Sequence, residues 1–426
     1  MKQITNRAVS VLLLAAFVIV GTLLYVFRYV DHGQDWAAAY SRENAGASGA
    51  IIDRDGLVLA SFSPHESLFQ EDRELRIANY HVTGDYYGRT GTGLLTDYQE
   101  YSPITGTTRL RSQVLYLNID AELNRRAYAA LNGRPGAVLI VNYRSGELLC
   151  MVSSPAIDPL ESDPKPPEGA YINRCLSAAF VPGSVFKLIT AAAAIEHLPD
   201  LSRRSFVCEG EVEIGGVRIV CSGHHGEQTF EQALSNSCNV AFAQLSVELG
   251  HEVMLQTVRR LGFLDRQRLD GISTVAGSFP TDYAGDPELG WAGVGQSTDL
   301  LCPYALLRYV SAIANDGKLI EPRLIRDGSL GYATQLVKAD TASELQRLMH
   351  YNVVNGYGAE RFPGLKLCAK TGTAERGDGS SNAWFVGFLA DEEHPYAFVV
   401  MIERGGSGLG AAGAAANEIL QYAVSR

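Results

Sequence analysis

The first hydrophobic segment of the chain runs from Ala8 to Phe27 and carries no charged residue. Its length matches the roughly 20 apolar residues that a helix needs to cross a bilayer. Residues 1–7 before it are basic, and no small-residue cleavage site follows it, so we expect an uncleaved transmembrane anchor rather than a signal peptide. The positive charge before the segment predicts a cytoplasmic tail over residues 1–7 and an extracytoplasmic remainder of the chain.

Residues 32–130 have the short alternating segments of a small extended domain. Ala50–Ala60 predicts two strands around an Asp-Gly turn. Asp120 is placed to cap a helix over residues 121–131. No group of residues suited to chemistry stands out here, so we interpret the region as non-catalytic.

The pattern after this region predicts a larger domain over residues 135–426. Two apolar strands come first, mostly helical sequence from about Ser202 to Lys318 occupies the middle, and three apolar strands and a helix come last. The predicted strands are Ala137–Asn142, Glu147–Val152, Leu365–Lys370, Ala383–Leu389 and Ala397–Ile402, and the closing helix is Ala412–Val424. This order predicts an α/β fold in which helices flank one antiparallel five-stranded sheet.

Length, composition and net charge indicate the number of domains and argue against one class of partner. The chain has 426 residues, of which 46% are hydrophobic and 19% are charged, which is typical of a globular protein with two or three domains. The net charge of −11 argues against nucleic acid as a partner.

Candidate chemistry begins at Pro182-Gly183-Ser184-Val185-Phe186-Lys187, where a turn leads into a helix that is apolar on all sides. Such a helix belongs in the interior of a domain. Ser184 and Lys187 are three residues apart, so they share one face of it. A lysine removed from water favours its neutral form, and a neutral amine can take the proton of a neighbouring hydroxyl. Ser184 is therefore a candidate nucleophile with Lys187 as its base.

Two further motifs follow. Ser237-Cys238-Asn239 lies at a break between two predicted helices, the second of which runs from Val240 to Leu249 and is stopped by Gly250. Lys370-Thr371-Gly372-Thr373 ends a predicted strand, and its glycine lets a ligand backbone approach closely. Each motif alone is a weak signal, but Ser-x-x-Lys, Ser-x-Asn and Lys-Thr-Gly occurring in this order predict one shared catalytic site.

The chain resembles the transpeptidase family of penicillin-binding proteins, and within it the class B, monofunctional type of cell division and elongation. The resemblance is carried by the three motifs and by Ala383-Trp384-Phe385-Val386-Gly387-Phe388, Gly293-Val294-Gly295-Gln296, Ala312–Lys318 and Ile51–Gly56. The resemblance implies that residues 32–130 are a non-catalytic pedestal of the dimerisation type, although Ser48-Gly49 stands where the pedestal motif usually has arginine and glycine. That departure affects the choice of subfamily and leaves the chemistry unchanged.

The resemblance implies a β-lactamase/transpeptidase-like domain and a serine D,D-transpeptidase that forms an acyl-enzyme on Ser184. Lys187 would be the base, Ser237 would relay the proton to the leaving group, and Lys370 would attract the substrate carboxylate. The substrate would be bound by Asn239, Thr371, Gly372 and Thr373. The backbone N–H groups of Ser184 and Thr373 would form the oxyanion hole.

The same resemblance implies the ligands and partners. The substrates would be peptidoglycan stem peptides ending in D-Ala-D-Ala, and β-lactam antibiotics would acylate Ser184. The chemistry needs no cofactor and no metal. A polytopic glycan polymerase in the membrane would be the protein partner.

Other functions use the same motifs. A D,D-carboxypeptidase or a β-lactamase would release the acyl group to water, but no carboxylate is placed by its spacing to activate that water. A β-lactam sensor would need an intracellular output domain, whereas the expected cytoplasmic tail is residues 1–7. An inactive scaffold would not need all three motifs intact.

The seven cysteines leave three alternatives at one place. Cys208 and Cys221 flank a probable hairpin that turns at Ile214-Gly215-Gly216, which favours a disulfide outside the cell. The second alternative is that both thiols are free, and the third is that Cys208 and Cys221 bind zinc together with His224 and His225. We interpret Cys150, Cys238 and Cys368 as small buried residues.

Overall fold

The structure is a computed structural model, and it describes residues 2–31, 49–62, 67–97, 99–102, 107–110, 114–161, 165–280, 285–327 and 332–426. Contacts divide the chain into two units. The first unit is Met1–Gly49, Ser61–Leu68 and Tyr98–Gln113, and the second is Ala50–Ala60, Phe69–Asp97 and Val114–Arg426.

The elements are numbered in chain order. The α-helices are α1 Lys2–Asp31, α2 Arg73–Ala78, α3 Tyr80–Thr83, α4 Leu94–Asp97, α5 Ala121–Ala130, α6 Lys187–His197, α7 Phe230–Ser235, α8 Asn239–Arg260, α9 Asp286–Gly293, α10 Pro303–Ala314, α11 Ala339–Tyr351 and α12 Ala414–Val424. The strands are β1 Gly49–Ile52, β2 Val58–Phe62, β3 Ser67–Phe69, β4 Gln99–Ser102, β5 Thr107–Leu110, β6 Val114–Tyr116, β7 Gly136–Asn142, β8 Leu148–Ser154, β9 Ser205–Cys208, β10 Glu211–Ile214, β11 Val217–Val220, β12 Gly226–Thr229, β13 Arg268–Leu269, β14 Ile272–Ser273, β15 Lys318–Ile320, β16 Ala333–Gln335, β17 Leu367–Glu375, β18 Ser381–Leu389 and β19 Tyr396–Ile402. Shorter 3₁₀ or π turns are Gly183–Phe186, Leu201–Arg203, Asn352–Tyr357, Ala359–Arg361 and Gly408–Gly413.

The first unit contains α1 and the antiparallel pair β4 and β5. A membrane-spanning helix of sufficient length and apolarity is not found among the residues that the structure describes. The anchor expected over residues 8–27 is therefore not supported by the structure.

In the second unit, the turn after β1 forms as its sequence predicts. Asp53 Oδ1 accepts hydrogen bonds from the N–H of Asp55 at 3.0 Å and of Leu57 at 2.7 Å, which closes the Asp-Gly turn. Asp120 caps α5 by accepting from the N–H of Leu123 at 2.9 Å. Both predictions are confirmed.

The second unit is built on a five-stranded sheet in the order β17-β18-β19-β7-β8, with every neighbouring pair antiparallel. This is the sheet that the order of apolar segments predicts. Its strands are apolar on both faces because helices cover both faces. On one face, Val138 and Phe398 pack with Leu123 of α5 and Ile419 of α12. On the other, α10 packs against β7, β18 and β19.

Two sequence predictions about this unit are wrong in detail. The segment after Ser202 is not mostly helical, because β9 pairs with β12 and β10 pairs with β11. The last motif does not end its strand, since pairing with β18 continues to Glu375 opposite Ser381. Both errors arise because strand pairing decides the local structure of these segments. Gly250, by contrast, is non-helical, with φ 79° and ψ 158°, and separates two helical segments within α8, so the prediction that it stops the first of them is confirmed.

Candidate active site

Ser184 lies in the 3₁₀ turn Gly183–Phe186, immediately before α6. Gly183 has φ 55°, and a Cβ at this position would lie 2.7 Å from the carbonyl oxygen of Thr373. Glycine therefore allows the turn to pack directly against β17. The residues of α6 from Lys187 to Ala194 are buried, so the turn is anchored in the core, while Ser184 itself is only half-buried.

The side chain of Lys187 is completely buried and surrounded by oxygen atoms. Its Nζ lies 3.0 Å from Ser184 Oγ, and it lies 2.5 Å from Ser237 O and 2.7 Å from Asn239 Oδ1. A neutral amine has two N–H groups and one lone pair. When the two N–H groups donate to the two carbonyl-type oxygens of Ser237 and Asn239, the lone pair is left for the hydroxyl of Ser184. The geometry thus suits Lys187 to accept the Ser184 proton.

Burial also supplies the electrostatic condition for a neutral amine. Loss of hydration lowers the pKa of Lys187 from 10.5 to about 7. Burial lowers the pKa of Lys370 well below its usual value, and the nearby charge of Lys187 lowers it further. Burial thus opposes a positive charge on both amines, and a charge on one disfavours a charge on the other.

The motif Ser237-Cys238-Asn239 forms the turn between α7 and α8. Ser237 has φ 54°, a left-handed conformation that is unfavourable for a residue with a side chain. This conformation places Ser237 Oγ 3.2 Å from Lys187 Nζ and 3.1 Å from Lys370 Nζ. The hydroxyl therefore connects the two lysines from a backbone conformation that other contacts must stabilise.

Lys370 lies inside β17, which is the edge strand of the central sheet. Its Nζ also donates to Thr371 O at 3.0 Å. A Cβ on Gly372 would lie 2.9 Å from Pro182 O, so this glycine lets the strand approach the turn that carries Ser184. The edge position leaves β17 suited to pair with an extended peptide.

Three contacts of the same strand were not predicted from the sequence. The hydroxyl of Tyr357 accepts from the N–H of Thr371 at 3.0 Å and lies 3.4 Å from its Oγ1. Gln296 Nε2 donates to Thr373 O at 3.3 Å, and the N–H of Gly408 donates to Thr373 Oγ1 at 3.2 Å. The stretch that contains Gln296 was recognised by resemblance, but no signal in the sequence assigned Tyr357 or Gly408 to the site.

The structure thus brings the candidate residues together. One chain of hydrogen bonds joins Ser184, Lys187, Ser237, Asn239 and Lys370. Thr371, Gly372 and Thr373 follow directly along β17. An arrangement of hydroxyl, buried amine and second hydroxyl beside an open strand edge can support acyl transfer through a serine ester.

Of the three alternatives for Cys208 and Cys221, the disulfide is wrong, because all seven cysteines are free of disulfide bonds. Cys208 ends β9 and lies opposite Gly226 of β12, whereas Cys221 follows the separate hairpin of β10 and β11. The two cysteines are therefore not facing positions of one hairpin. Cys150 and Cys368 are buried on core strands, as predicted.

Comparison with known proteins gives a family match over most of the second unit. Residues 136–421 match the family model described as the penicillin binding protein transpeptidase domain. Stage V sporulation protein D of Bacillus subtilis is 30% identical over 253 residues, which is 55% of this chain and 39% of that protein. Peptidoglycan D,D-transpeptidase PbpA of Mycobacterium tuberculosis is 29% identical over 326 residues, which is 66% of this chain and 64% of that protein. The chain therefore spans less than two thirds of the length of these relatives.

Similarity in three dimensions extends further along the chain. The structure of penicillin-binding protein A from M. tuberculosis, solved as a ceftriaxone acyl-enzyme complex, superposes with a TM-score of 0.77 at 21% identity. The superposition covers 90% of this chain and 99% of that one. At this identity the likeness establishes the fold, which is the transpeptidase-like α/β fold that the sequence predicts.

Proposed function

This chain belongs to the penicillin-binding protein transpeptidase family, and we propose that it is a serine D,D-transpeptidase that cross-links peptidoglycan stem peptides. The observation that carries the proposal is the contact of 3.0 Å between Ser184 Oγ and Lys187 Nζ. The two N–H groups of the neutral amine can donate to Ser237 O and Asn239 Oδ1, which leaves its lone pair available to the hydroxyl. The relatives named D,D-transpeptidase, and the similar structure captured as a β-lactam acyl-enzyme, support the same assignment.

The first half of the reaction forms the acyl-enzyme. Lys187 Nζ takes the hydroxyl proton while Ser184 Oγ bonds to the carbonyl carbon of the penultimate D-alanine. The oxyanion accepts hydrogen bonds from the backbone N–H groups of Ser184 and Thr373, an arrangement in which one donor is typically worth about 10²–10³ in rate. The bond to the terminal D-alanine then breaks, and its nitrogen receives the proton from Lys187 through Ser237 Oγ, 3.2 Å away.

The second half transfers the acyl group. An amine of a second stem peptide attacks the ester carbonyl and gives a proton to Lys187, and Ser184 leaves with that proton. The result is a new peptide bond between two stems and an unchanged enzyme. The substrate carboxylate would lie near Lys370, Thr371 and Thr373, where its charge favours the protonated form of Lys370 and leaves Lys187 neutral.

Covalent labelling by a fluorescent penicillin tests the nucleophile. We expect Ser184→Ala to lose the label completely, because no oxygen remains to form the ester. The exposed Ser202→Ala variant is the matched control and should label like the wild type. Labelling that survives in folded Ser184→Ala would refute the assignment.

Transfer is distinguished from hydrolysis by the fate of the acyl group. We expect a stem-peptide donor with an added amine acceptor to give a cross-linked product, because the sequence places no carboxylate at a spacing that would activate water. Rapid release of hydrolysed penicillin or of shortened stem peptide without cross-linking would instead establish a D,D-carboxypeptidase or a β-lactamase.

We also propose that the chain works at the outer face of the cell membrane, with residues 32–130 as the pedestal and 135–426 as the catalytic domain. The support is the charge-free run Ala8–Phe27 and the exposed apolar side chains of α1, such as Phe17 with 77% of its surface exposed. A polytopic glycan polymerase is the proposed partner. Membrane flotation of the full chain, compared with a variant lacking residues 8–27, tests the location.

A further inference from the structure

Four side chains of the kinds that bind metals lie together beside the Ser237 turn. Cys208, Cys221, His225 and Cys238 each place one ligand atom within 4.8 Å of all the others. The three cysteines are buried and the histidine is half-buried. The four residues come from the end of β9, the residue after β11, the residue before β12 and the N-cap of α8.

The distances within this cluster match a tetrahedral site. Cys221 Sγ lies 4.0 Å from Cys238 Sγ and 3.6 Å from His225 Nδ1. Around a tetrahedral Zn²⁺ with Zn–S of about 2.3 Å and Zn–N of about 2.0–2.1 Å, two sulfurs are about 3.8 Å apart, and a sulfur and a nitrogen about 3.6 Å. A disulfide would instead place two sulfurs about 2.05 Å apart.

We propose that Cys208, Cys221, His225 and Cys238 bind one structural Zn²⁺ ion. Three cysteines and one histidine form a complete structural ligand set, which leaves no coordination position for water or substrate. The ion would be held by three thiolates and a neutral imidazole, and binding would release the three thiol protons to solvent. The ion therefore takes no part in the ester chemistry at Ser184.

Backbone hydrogen bonds already support the proposed ligands. The N–H of Asn239 donates to Cys221 Sγ at 3.2 Å, and the N–H of Ala241 donates to Cys238 Sγ at 3.5 Å. Such contacts from the surrounding shell orient metal-binding thiolates. They are made by the first residues of α8, so the ligands are connected to the helix that begins at the active site.

The position of the cluster gives the ion a role in the active site. Cys238 lies between Ser237 and Asn239, whose side chains both contact Lys187. Asn239 Nδ2 also donates to Val220 O at 2.8 Å, next to Cys221. An ion that joins Cys221 to Cys238 would therefore fix the turn and the Asn239 amide in the geometry that directs the Lys187 lone pair at Ser184.

Metal content tests the site without using any β-lactam. The untagged full chain, purified in detergent under reducing conditions, should contain about one zinc per chain by inductively coupled plasma mass spectrometry. When Co²⁺ replaces the zinc, the protein should show the absorption spectrum of a tetrahedral thiolate complex. Cys208→Ala and His225→Ala should lose the metal. Cys302→Ala, a buried cysteine outside the cluster, should retain it.

Several results would overturn the proposal. The proposal would be wrong if the wild-type protein contained no zinc and a thiol titration found seven free thiols. It would also be wrong if peptide mapping found a disulfide between Cys221 and Cys238. Retention of zinc by both Cys208→Ala and His225→Ala would place the metal elsewhere. If either variant fails to fold, the wild-type zinc ratio and the cobalt spectrum still decide.

The positioning role has its own readout. Removal of zinc by a chelator from protein that stays folded should slow acylation of Ser184, and added Zn²⁺ should restore the rate. An unchanged rate would refute the positioning role. Failure of the transpeptidase proposal remains distinguishable, because a protein that binds zinc but is never labelled at Ser184 would overturn that proposal and leave the metal site intact.

Discussion

The rate at which a penicillin acylates Ser184 should depend on pH through the proton of Lys187. Only the neutral amine can accept the hydroxyl proton, so the rate follows the fraction of Lys187 that is deprotonated. Burial brings the pKa of this amine from 10.5 to about 7. We therefore expect the rate to rise with pH, reach half of its maximum near pH 7 and become constant above about pH 8.

The size of the effect follows from that value. At pH 5, two units below the midpoint, about 1% of the amine is neutral, so acylation should be about 100-fold slower than on the plateau. An ordinary surface lysine would be only about 0.03% neutral at pH 7, and its rate would keep rising about tenfold per pH unit through pH 9. The pH–rate profiles of the two cases therefore differ in shape as well as in midpoint.

The same shift has a cost in stability. Lowering the pKa from 10.5 to about 7 corresponds to on the order of 5 kcal/mol between the two protonation states. Because the folded pKa is the lower one, the unfolded chain binds the proton more tightly. The penalty is therefore present in full below pH 7 and is relieved as the pH rises toward 10.5. Lys187 thus makes the protein less stable at the pH where it works.

The assay is the second-order rate constant for labelling by a fluorescent penicillin between pH 5 and pH 9.5, with the fold checked at each pH by circular dichroism. This constant reports the free enzyme, and its midpoint belongs to the coupled pair of Lys187 and Lys370. Lys187→Arg is the control, since it keeps a cation that cannot lose its proton and should not be labelled at any pH. A flat profile, or one that still rises tenfold per unit above pH 9, would refute Lys187 as the base.

Three other changes test the packing and the electrostatics. Ser237→Ala removes the hydroxyl that both site amines contact, so acylation should slow by roughly 10²–10⁴-fold with an unchanged urea midpoint, and a rate near the wild type would exclude the relay. Gly183→Ala should lower the free energy of unfolding by roughly 1–3 kcal/mol more than Gly216→Ala, which shares the positive φ but meets no atom within 4 Å, and equal losses in urea titrations would exclude the contact with Thr373 O. Asp299 is buried without a hydrogen-bond partner among the described residues, and burial raises its pKa, so the folded protein resists its ionisation. The wild type should therefore lose about 1.4 kcal/mol of stability per pH unit above pH 4, and Asp299→Asn should not show this loss. Parallel stability–pH curves for variant and wild type would contradict this.

Local signals explain which parts of the fold were predictable. Asp120 and Thr229 cap their helices through hydrogen bonds to residues three positions away, so their sequence context is sufficient. The central strands were predictable because both of their faces are buried, which makes them continuous apolar runs. The hairpin of β10 and β11 was predictable from its Gly-Gly turn, whereas β9 and β12 lack such a signal and form because they pair with each other across that hairpin.

The site was predictable in its parts but not in its assembly. Ser184 and Lys187 are neighbours by the geometry of one helical turn, so their spacing alone suggests the contact. The bond between Lys370 Nζ and Ser237 Oγ joins residues 133 positions apart, and only the order of known motifs pointed to it. Tyr357 reaches Thr371 from a π-helical turn, whose position depends on the packing around it.

Cys238 lies inside the second motif, but its side chain makes contacts that the motif alone does not predict. Considered alone, it is a small buried residue between two polar ones. In the structure its sulfur faces Cys221, while the side chains of Ser237 and Asn239 contact Lys187. A turn that holds Ser237 at φ 54° needs contacts that outweigh a strain of about 1–3 kcal/mol. The hydrogen bonds of Ser237 to Lys187 and Lys370 supply contacts on one side of the turn. The contact of Cys238 Sγ with Cys221 Sγ at 4.0 Å supplies another, which is why a residue between two site residues matters to their geometry.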